Sequence, residues 1–208
     1  MNEVAVIDYG MGNLHSVGKA LEKVSTKTKV IVTSDKKKIN NSKRIVIPGV
    51  GAIKDCINSL KSEELLEVIL ENVKKKPTLA ICVGMQILLE KSEENNGISG
   101  LGVLNGEVKR IPNRSDIKVP HMGWNQVEQT KDHELWKDID NKSYFYFVHS
   151  YSCFSSDSAI AKTEHGEKFV SAIADQNVFA VQFHPEKSQK NGLVFYRNFL
   201  NWEGADRC

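Results

Sequence analysis

Cys82 stands where a strand-like stretch meets a helix-like one, which is a position suited to a nucleophile. The apolar residues 79–81 precede it, Gly84 follows two positions later, and a helical pattern begins at Met85. This order predicts a strand, a sharp turn and a helix, as in a nucleophile elbow. The unpaired backbone N–H groups that begin such a helix can face a developing negative charge and favour a thiolate. A small buried cysteine at a strand end would show the same pattern, so the elbow alone does not decide between the two interpretations.

A second segment supplies a candidate base and a carboxylate to orient it. The alternating apolar residues of 178–183 predict a strand, and His184 and Glu186 follow at its end with Pro185 between them. In extended backbone this spacing places both side chains on one side, and the proline fixes φ. An imidazole held by a carboxylate and facing the Cys82 thiol is the arrangement of a nucleophile, a base and an orienting group.

The order of the other patterns predicts an α/β fold. Strands are expected at residues 3–8, 29–33, 44–47 and before Cys82, with amphipathic helices between them, as in a parallel sheet. Beyond Ser92 short strands dominate, followed by a last helix; the strands are expected at residues 102–109, 125–129, 144–148, 159–163, 170–174 and 178–183. We therefore expect a doubly wound mixed sheet whose parallel first half is extended by antiparallel strands. One domain is expected over residues 1–202, with a short C-terminal tail at 203–208.

The third predicted strand ends in a loop, residues 48–51, with the sequence Pro-Gly-Val-Gly. Two glycines around one valine allow a peptide to turn its N–H toward a ligand. Because parallel strands end at the same edge of a sheet, this loop should lie beside Cys82 and could complete an oxyanion hole.

Composition excludes several classes of function. The chain has 208 residues, 40% of them hydrophobic, and a formal net charge of +2, which gives no electrostatic reason to expect a nucleic-acid partner. No apolar run approaches a membrane span, and the first residues lack the pattern of a signal peptide.

Residues 10–12 (Gly-Met-Gly) resemble the start of a dinucleotide fingerprint, but its third glycine is absent and a tight loop is the preferred interpretation. The lysine runs at 36–38 and 74–76 are interpreted as solvated helix ends or loops.

The cysteines indicate a reduced protein. They are scattered, without a C-x-x-C pair or a metal-binding spacing, at positions Cys56, Cys82, Cys153 and Cys208. A cytosolic protein with at most one reactive thiol is predicted, and neither a metal nor another cofactor is expected.

The motifs resemble those of a known family. Cys82 on its elbow, together with residues 184–186 (His-Pro-Glu), resembles the class I (triad) glutamine amidotransferases, which have a flavodoxin-like fold. More narrowly, four stretches are similar to the glutaminase subunits of imidazole glycerol phosphate synthase: residues 48–51, 120–125 (Pro-His-Met-Gly-Trp-Asn), 144–151 and 184–188. The resemblance covers nearly the whole chain. Two small departures flank the thiol, since Ala80 stands where the family often has Gly and Val83 where Leu is usual.

The resemblance implies a division of roles. Cys82 would attack the side-chain amide of glutamine, His184 would relay protons and Glu186 would orient the imidazole. The oxyanion would be held by the backbone N–H of Val83 and by one from the loop that contains Gly49 and Val50. Glutamine itself would be bound by Gly51, Gln86, Glu94 and the backbone near His149, Ser150 and Tyr151.

The resemblance also implies a partner. Ammonia would pass to a (β/α)8-barrel cyclase, a separate chain that forms a heterodimer with this one and completes imidazole glycerol phosphate and an aminoimidazole carboxamide ribotide (AICAR). Asn13, Trp124 and Lys187 would lie at that interface. From chemistry alone, Trp124 could equally be core packing and Lys187 a solvated charge.

Three other interpretations remain open at this stage. A paralogous subunit would supply ammonia to a barrel partner that amidates a bacterial surface sugar, and the motifs barely distinguish it. A catalytically silent subunit would only bind the barrel, which an intact Cys82, His184 and Glu186 argue against. A cysteine peptidase would need substrate-cleft insertions that this short chain does not show.

Overall fold

A mixed sheet of 13 strands runs through the computed structural model, which describes residues 2–205. The early strands have the bounds β1 Glu3–Ile7, β2 Lys29–Thr33, β3 Arg44–Ile47 and β4 Thr78–Ile81. They are parallel neighbours in the order β2-β1-β3-β4. All but β2 are almost fully buried, because helices cover both faces of a parallel sheet. The predicted parallel first half is confirmed.

Six helices occur in the described part of the chain: α1 Leu14–Val24, α2 Lys36–Asn41, α3 Ile53–Ser62, α4 Leu66–Asn72, α5 Val83–Leu88 and α6 Gln189–Asn201. Because β-α-β connections are right-handed, the step outward from β1 to β2 and the return to β3 put α1 on one face and α2, α3 and α4 on the other. The direction in which successive strands are added to the sheet reverses between β1 and β3. In such sheets ligands bind outside the carboxyl ends of the strands near this point.

The later strands extend the sheet beyond β4, and they have the bounds β5 Lys91–Ser92, β6 Ile98–Ser99, β7 Glu107–Arg110, β8 His121–Gln129, β9 Ser143–His149, β10 Tyr151–Cys153, β11 Ala159–His165, β12 Glu167–Asp175 and β13 Val178–Val181. β13 lies parallel beside β4, and the order continues β13-β12-β10-β7-β5-β6. β12 also pairs antiparallel with β11, which leads through β8 to β9. The mixed sheet with antiparallel strands in its second half is therefore confirmed.

The strand predicted at residues 102–109 is wrong over its first half. Only Glu107–Arg110 is a strand, and the preceding residues close the C-terminal end of α5. The Leu101 N–H donates to the Ile87 carbonyl at 2.7 Å, and the Val103 N–H to the Leu88 carbonyl at 2.9 Å. The last carbonyls of a helix need such partners, and this requirement outweighs the strand-like apolar pattern.

The extended backbone predicted through residues 184–186 is also wrong. β13 ends at Val181, and Pro185–Lys187 form a short 3-10 helix with Pro185 at its first position. Proline is favoured there because its missing N–H would have no partner in the helix. His184 still pairs with Tyr146, whose carbonyl accepts from the His184 N–H at 2.8 Å.

The lysine run at 36–38 forms the exposed first turn of α2, which confirms its interpretation as a solvated helix end. Asp35 caps α2 by accepting hydrogen bonds from the Lys37 and Lys38 N–H groups at 2.8 and 3.2 Å. Ile39 is its buried residue. A six-residue helix with one apolar anchor leaves too little periodicity for a sequence-based prediction.

None of the helices in the described range is both long and apolar enough to cross a membrane. Residues 206–208, with Cys208 and the end of the predicted tail, lie outside the described residues.

Candidate active site

Cys82 occupies a strained turn between β4 and α5. Its backbone has φ 55° and ψ −111°, a conformation that costs a non-glycine residue about 1–3 kcal/mol. The surrounding bonds hold it there: the Cys82 N–H donates to the Val181 carbonyl at 2.7 Å, and its own carbonyl accepts from the Met85 N–H at 3.0 Å. The predicted strand, turn and helix are all present, and the strain is typical of a nucleophile elbow.

The loop after β3 presses directly against this elbow. A Cβ added to Gly84 would lie 2.1 Å from the Ile47 carbonyl oxygen, and one added to Gly49 would lie 2.4 Å from the Gly84 nitrogen. These glycines are therefore required by a close approach of two backbones. The loop after β3 therefore lies against the start of α5, beside Cys82, as predicted.

Two buried side chains hold the carbonyls of this loop. The Tyr9 hydroxyl donates to the Pro48 carbonyl. The Cys56 thiol donates to the Val50 carbonyl at 3.4 Å. Burial raises the pKa of Cys56 to about 11, so this thiol keeps its proton and remains a donor. Neither role is visible in the sequence, because nothing along the chain relates Tyr9 or Cys56 to residues 48–51.

His184 and Glu186 form a buried pair. The His184 Nδ1 lies 2.8 Å from the Glu186 Oε1, and both side chains are almost fully buried. Burial alone would lower the pKa of His184, but the neighbouring Cys82 and then the Glu186 carboxylate raise it to about 10. The Nε2 is buried and has no hydrogen-bond partner among the described residues. The free nitrogen can therefore exchange a proton with a group in the cavity.

The carboxylate has a second neighbour that the sequence did not indicate. The Tyr196 hydroxyl on α6 donates to the Glu186 Oε2 at 3.5 Å. Burial, and next the nearby Glu186 charge, raise the pKa of Tyr196 well above its usual value. The neutral phenol therefore helps to hold in place the carboxylate that orients His184.

Gln182 contacts the candidate nucleophile, and no motif in the sequence indicated this. Its Nε2 donates to the Cys82 Sγ at 3.6 Å, and its Oε1 accepts from the Gln86 Nε2 at 3.0 Å. Gln182 therefore links the Cys82 sulfur to Gln86. The available signal was one polar, fully buried residue within the otherwise apolar residues 178–183.

These groups open into one cavity of about 450 Å³, a size typical of small-molecule sites. Its lining includes most of the predicted site residues, namely Val50, Gly51, Cys82, Val83, Gln86, Glu94, His149, Ser150, Tyr151, His184 and Lys187. Glu94 has a structural role as well, because its Oε2 accepts from the Ile53 N–H at 2.9 Å and so caps α3. Gly49 lies behind the lining, against the elbow.

Two of the three residues expected at a partner interface, Trp124 and Lys187, are on the surface beside this cavity. Trp124 is 45% exposed on β8, and its neighbours Met122 and Tyr144 are 63% and 52% exposed. Lys187 places its Nζ 5.4 Å from the centre of the Tyr146 ring. The alternative interpretation of Trp124 as core packing is therefore wrong, because a core residue would be buried.

Asn13 lies immediately before α1, at its N-cap, and its side chain makes no capping hydrogen bond. It does not line the cavity, but the loop that leads to it packs on the loop after β3, because a Cβ added to Gly12 would lie 3.0 Å from the Pro48 Cβ. Within residues 2–205, no cluster of three or more His, Cys, Asp or Glu side chains is arranged to hold a metal ion.

Comparisons with known proteins agree with this geometry. The family model of class-I glutamine amidotransferases matches residues 5–202. The imidazole glycerol phosphate synthase subunit HisH of Nitrosococcus oceani is 49% identical over 208 residues, which cover 99% of this chain and 100% of the relative. The HisH subunit of Acinetobacter baylyi is 50% identical over 205 residues, covering 97% and 99%.

Solved structures show the same fold at low sequence identity. The structure of PurLQS from Thermotoga maritima has a TM-score of 0.72 at 18% identity, with 96% of this chain and 98% of that chain covered. A crystal structure of a glutamine amidotransferase has a TM-score of 0.71 at 17% identity, with 95% and 97% covered.

Proposed function

The chain belongs to the class-I glutamine amidotransferase family and, within it, to the HisH subunits of imidazole glycerol phosphate synthase, and from this premise we propose how its cavity hydrolyses glutamine. The products are glutamate and ammonia. The observation that carries the proposal is the strained elbow of Cys82, with its sulfur in the same cavity as His184 and its buried carboxylate partner.

In the first half-reaction the Cys82 Sγ attacks the side-chain amide carbon of glutamine. The carbonyl oxygen becomes an oxyanion, held by the Val83 N–H and by an N–H of the loop at Gly49 and Val50. His184 gives a proton to the amide nitrogen, the C–N bond breaks, and ammonia leaves a glutamyl thioester. Glu186 stabilises the imidazolium before the proton is given and fixes the ring.

In the second half-reaction water attacks the thioester. His184 takes a proton from the water through its free Nε2, the C–S bond breaks, and glutamate leaves with the thiolate regenerated. Gly51, Gln86, Glu94 and the segment from His149 to Tyr151 bind the substrate. Gln86, Glu94 and Ser150, among others, bring polar side chains to the cavity wall, which supports that role.

The ammonia is consumed by a (β/α)8-barrel cyclase subunit, which forms imidazole glycerol phosphate and AICAR in histidine biosynthesis. The relatives described above carry this enzyme's name, which supports the histidine pathway over amidation of a surface sugar. We assign the cyclase interface to the exposed face around Trp124, together with Asn13 and Lys187, because it lies beside the mouth of the cavity. A cytoplasmic location belongs to the same proposal, supported by the free thiols of Cys56, Cys82 and Cys153.

The test is a glutaminase assay on the chain alone and on the chain with a purified cyclase subunit. We expect glutamate release that is stimulated by the cyclase, and cyclase product formed with glutamine as the nitrogen source. Absence of glutamate release in both samples would refute the proposal.

A further inference from the structure

Three side chains outside the catalytic group form a line from β8 to the cavity wall. The Asn125 Nδ2 lies 3.1 Å from the His121 Nε2, and the His121 Nδ1 lies 2.9 Å from the His149 Nε2. The His149 Nδ1 lies 2.9 Å from the backbone carbonyl of Tyr151. His121 and Asn125 belong to the motif at residues 120–125, of which the proposed function uses only Trp124.

The two ends of this line fix the proton positions within it. The Asn125 Nδ2 is only a donor, so the His121 Nε2 must accept, and the His121 proton lies on Nδ1. That Nδ1–H donates to His149, whose Nε2 must therefore accept. The proton of His149 then lies on its Nδ1 and is donated to the Tyr151 carbonyl, which is only an acceptor. Every hydrogen bond in the line is therefore donated in the same direction, from Asn125 towards the Tyr151 carbonyl.

The orientation of the first amide is fixed independently of the two rings. The Asn125 Nδ2 also donates to the Glu164 carbonyl at 2.8 Å, and its Oδ1 accepts from the Gln126 N–H at 2.8 Å. A flipped amide would place two acceptors together at the Glu164 carbonyl and two donors together at the Gln126 N–H. Asn125 is thus the fixed starting point of the line.

Both rings are held in the neutral form that the line requires. Burial, and then the neighbouring His149 and His165, lower the pKa of His121 to about 3. Burial lowers the pKa of His149 to about 4. His121 is also clamped by ring stacking, with centroids 4.1 Å from His165 and 4.9 Å from Phe147.

The line continues to the nucleophile. The Tyr151 carbonyl also accepts from the Gln86 Nε2 at 3.0 Å, and Gln86 in turn bonds Gln182, whose amide touches the Cys82 sulfur. The position of the Tyr151 carbonyl in the cavity wall therefore depends on its hydrogen bond from His149. The same carbonyl in turn constrains the position of Gln86.

We propose that Asn125, His121 and His149 are an oriented hydrogen-bond relay that positions the Tyr151 carbonyl and Gln86 for glutamine. The residues of the relay lie on one face of β8 and β9, while Met122 and Trp124 are exposed on the opposite face of β8. The relay thus ties the position of the strand that carries Trp124 to the substrate cavity. The inference rests on the proposed function for the identity of glutamine, but the relay itself does not.

The first experiment reads the protons directly. Nitrogen NMR of the ¹⁵N-histidine-labelled chain distinguishes a protonated Nδ1 from a protonated Nε2, with signals assigned through the variants His121→Phe and His149→Phe. We expect the proton on Nδ1 in both rings at neutral pH, without any ligand. A proton on Nε2 of either ring would overturn the proposal.

The second experiment measures glutamine affinity by calorimetry in a Cys82→Ala background, where no turnover occurs. His121→Phe keeps the stacked ring but breaks the relay, and we expect affinity to fall about threefold to tenfold, the equivalent of one ordinary hydrogen bond. His165→Phe is the matched control, because this ring stacks on His121 outside the relay. His121→Gln, which offers both a donor and an acceptor, should restore most of the affinity.

Unchanged glutamine affinity in a folded His121→Phe variant would overturn the positioning role, even if the nitrogen spectra show both protons on Nδ1. An equal loss in His165→Phe would do the same, because it would show that packing alone matters. Should His121→Phe not fold, Asn125→Ala removes the first donor and leaves both rings in place; it should weaken binding, while the Tyr151 carbonyl still keeps the protons on Nδ1 of both rings. A parent that binds no glutamine would refute the proposed function instead, and the ligand-free nitrogen spectra distinguish that failure from a failure of the relay.

Discussion

Gly49→Ala tests whether the contact between the loop and the elbow builds the oxyanion site. The added Cβ would lie 2.4 Å from the Gly84 nitrogen and 2.9 Å from the Val83 carbonyl carbon. Ordinary contact begins at 3.4 Å, so the loop must move by about 1 Å to relieve the closest clash. Both obstructing atoms belong to backbone, which cannot rotate away as a flexible side chain would.

A displacement of that size exceeds the tolerance of an oxyanion hole, whose donors must lie within about 2.7–3.1 Å of the oxygen. We expect kcat for glutamine hydrolysis to fall about 10²–10³-fold, the effect of losing one donor. The glutamine KM should change little, because the donor acts mainly in the transition state. Formation of the cyclase product from added ammonium should persist, since that chemistry belongs to the other subunit.

Gly18→Ala is a suitable control for the same chemical change. Its Cβ would meet only the Val32 side chain at 3.4 Å, and Gly18 lies within α1. Alanine should stabilise that helix by about 0.5–1 kcal/mol and leave kcat unchanged. Thermal melting of both variants separates unfolding from a local displacement. A folded Gly49→Ala enzyme with the kcat of the wild type would refute the assignment of this loop to the oxyanion.

Three further tests, made with five variants, address the other parts of the site. Cys82→Ala should lower glutamine hydrolysis about 10⁴-fold or more while ammonium-dependent synthesis survives; retained glutamine-dependent synthesis would end the assignment. His184→Ala should lower kcat for glutamine hydrolysis nearly as much as Cys82→Ala, and Glu186→Gln should lower it less. The triple variant should be little worse than Cys82→Ala in steady-state kcat; multiplicative losses would mean that the three residues do not act as a unit. Tyr9→Phe removes the hydroxyl that holds the Pro48 carbonyl, and we expect about 1 kcal/mol lower stability in denaturant titrations and a lower kcat. A Tyr9→Phe enzyme with unchanged kcat would show that the loop needs no such anchor.

The parallel half of the fold was predictable because its signals are local. Strands such as Lys29–Thr33 and Arg44–Ile47 have the bounds that their apolar patterns indicated. Parallel strands end at one edge, so the neighbourhood of residues 48–51 and Cys82 followed from strand order alone. The pairing of His184 with Glu186 was also predicted, although a 3-10 turn rather than an extended strand produces it.

The rest depends on contacts between distant parts of the chain. Residues 101–104 have an apolar strand-like pattern, but their N–H groups close the end of α5, and nothing in their own sequence states this. Tyr9 reaches Pro48, and Gln182 reaches Cys82, across sequence separations of 39 and 100 residues. A single sequence contains no information on which of its buried polar residues meet, so these roles appear only with the coordinates.

The two anchors of the loop have a joint consequence for catalysis. Tyr9 holds the Pro48 carbonyl and Cys56 holds the Val50 carbonyl, so the peptides on both sides of the Gly49–Val50 peptide are fixed in orientation. Rotation of the peptide between them needs no movement of its neighbours, and glycine on one side makes the required dihedral changes inexpensive. This is the peptide whose N–H belongs to Val50, a residue that lines the cavity. An event at the partner face that favours one orientation can therefore switch a single oxyanion donor without disturbing the elbow, and the effect of such a switch must appear in kcat.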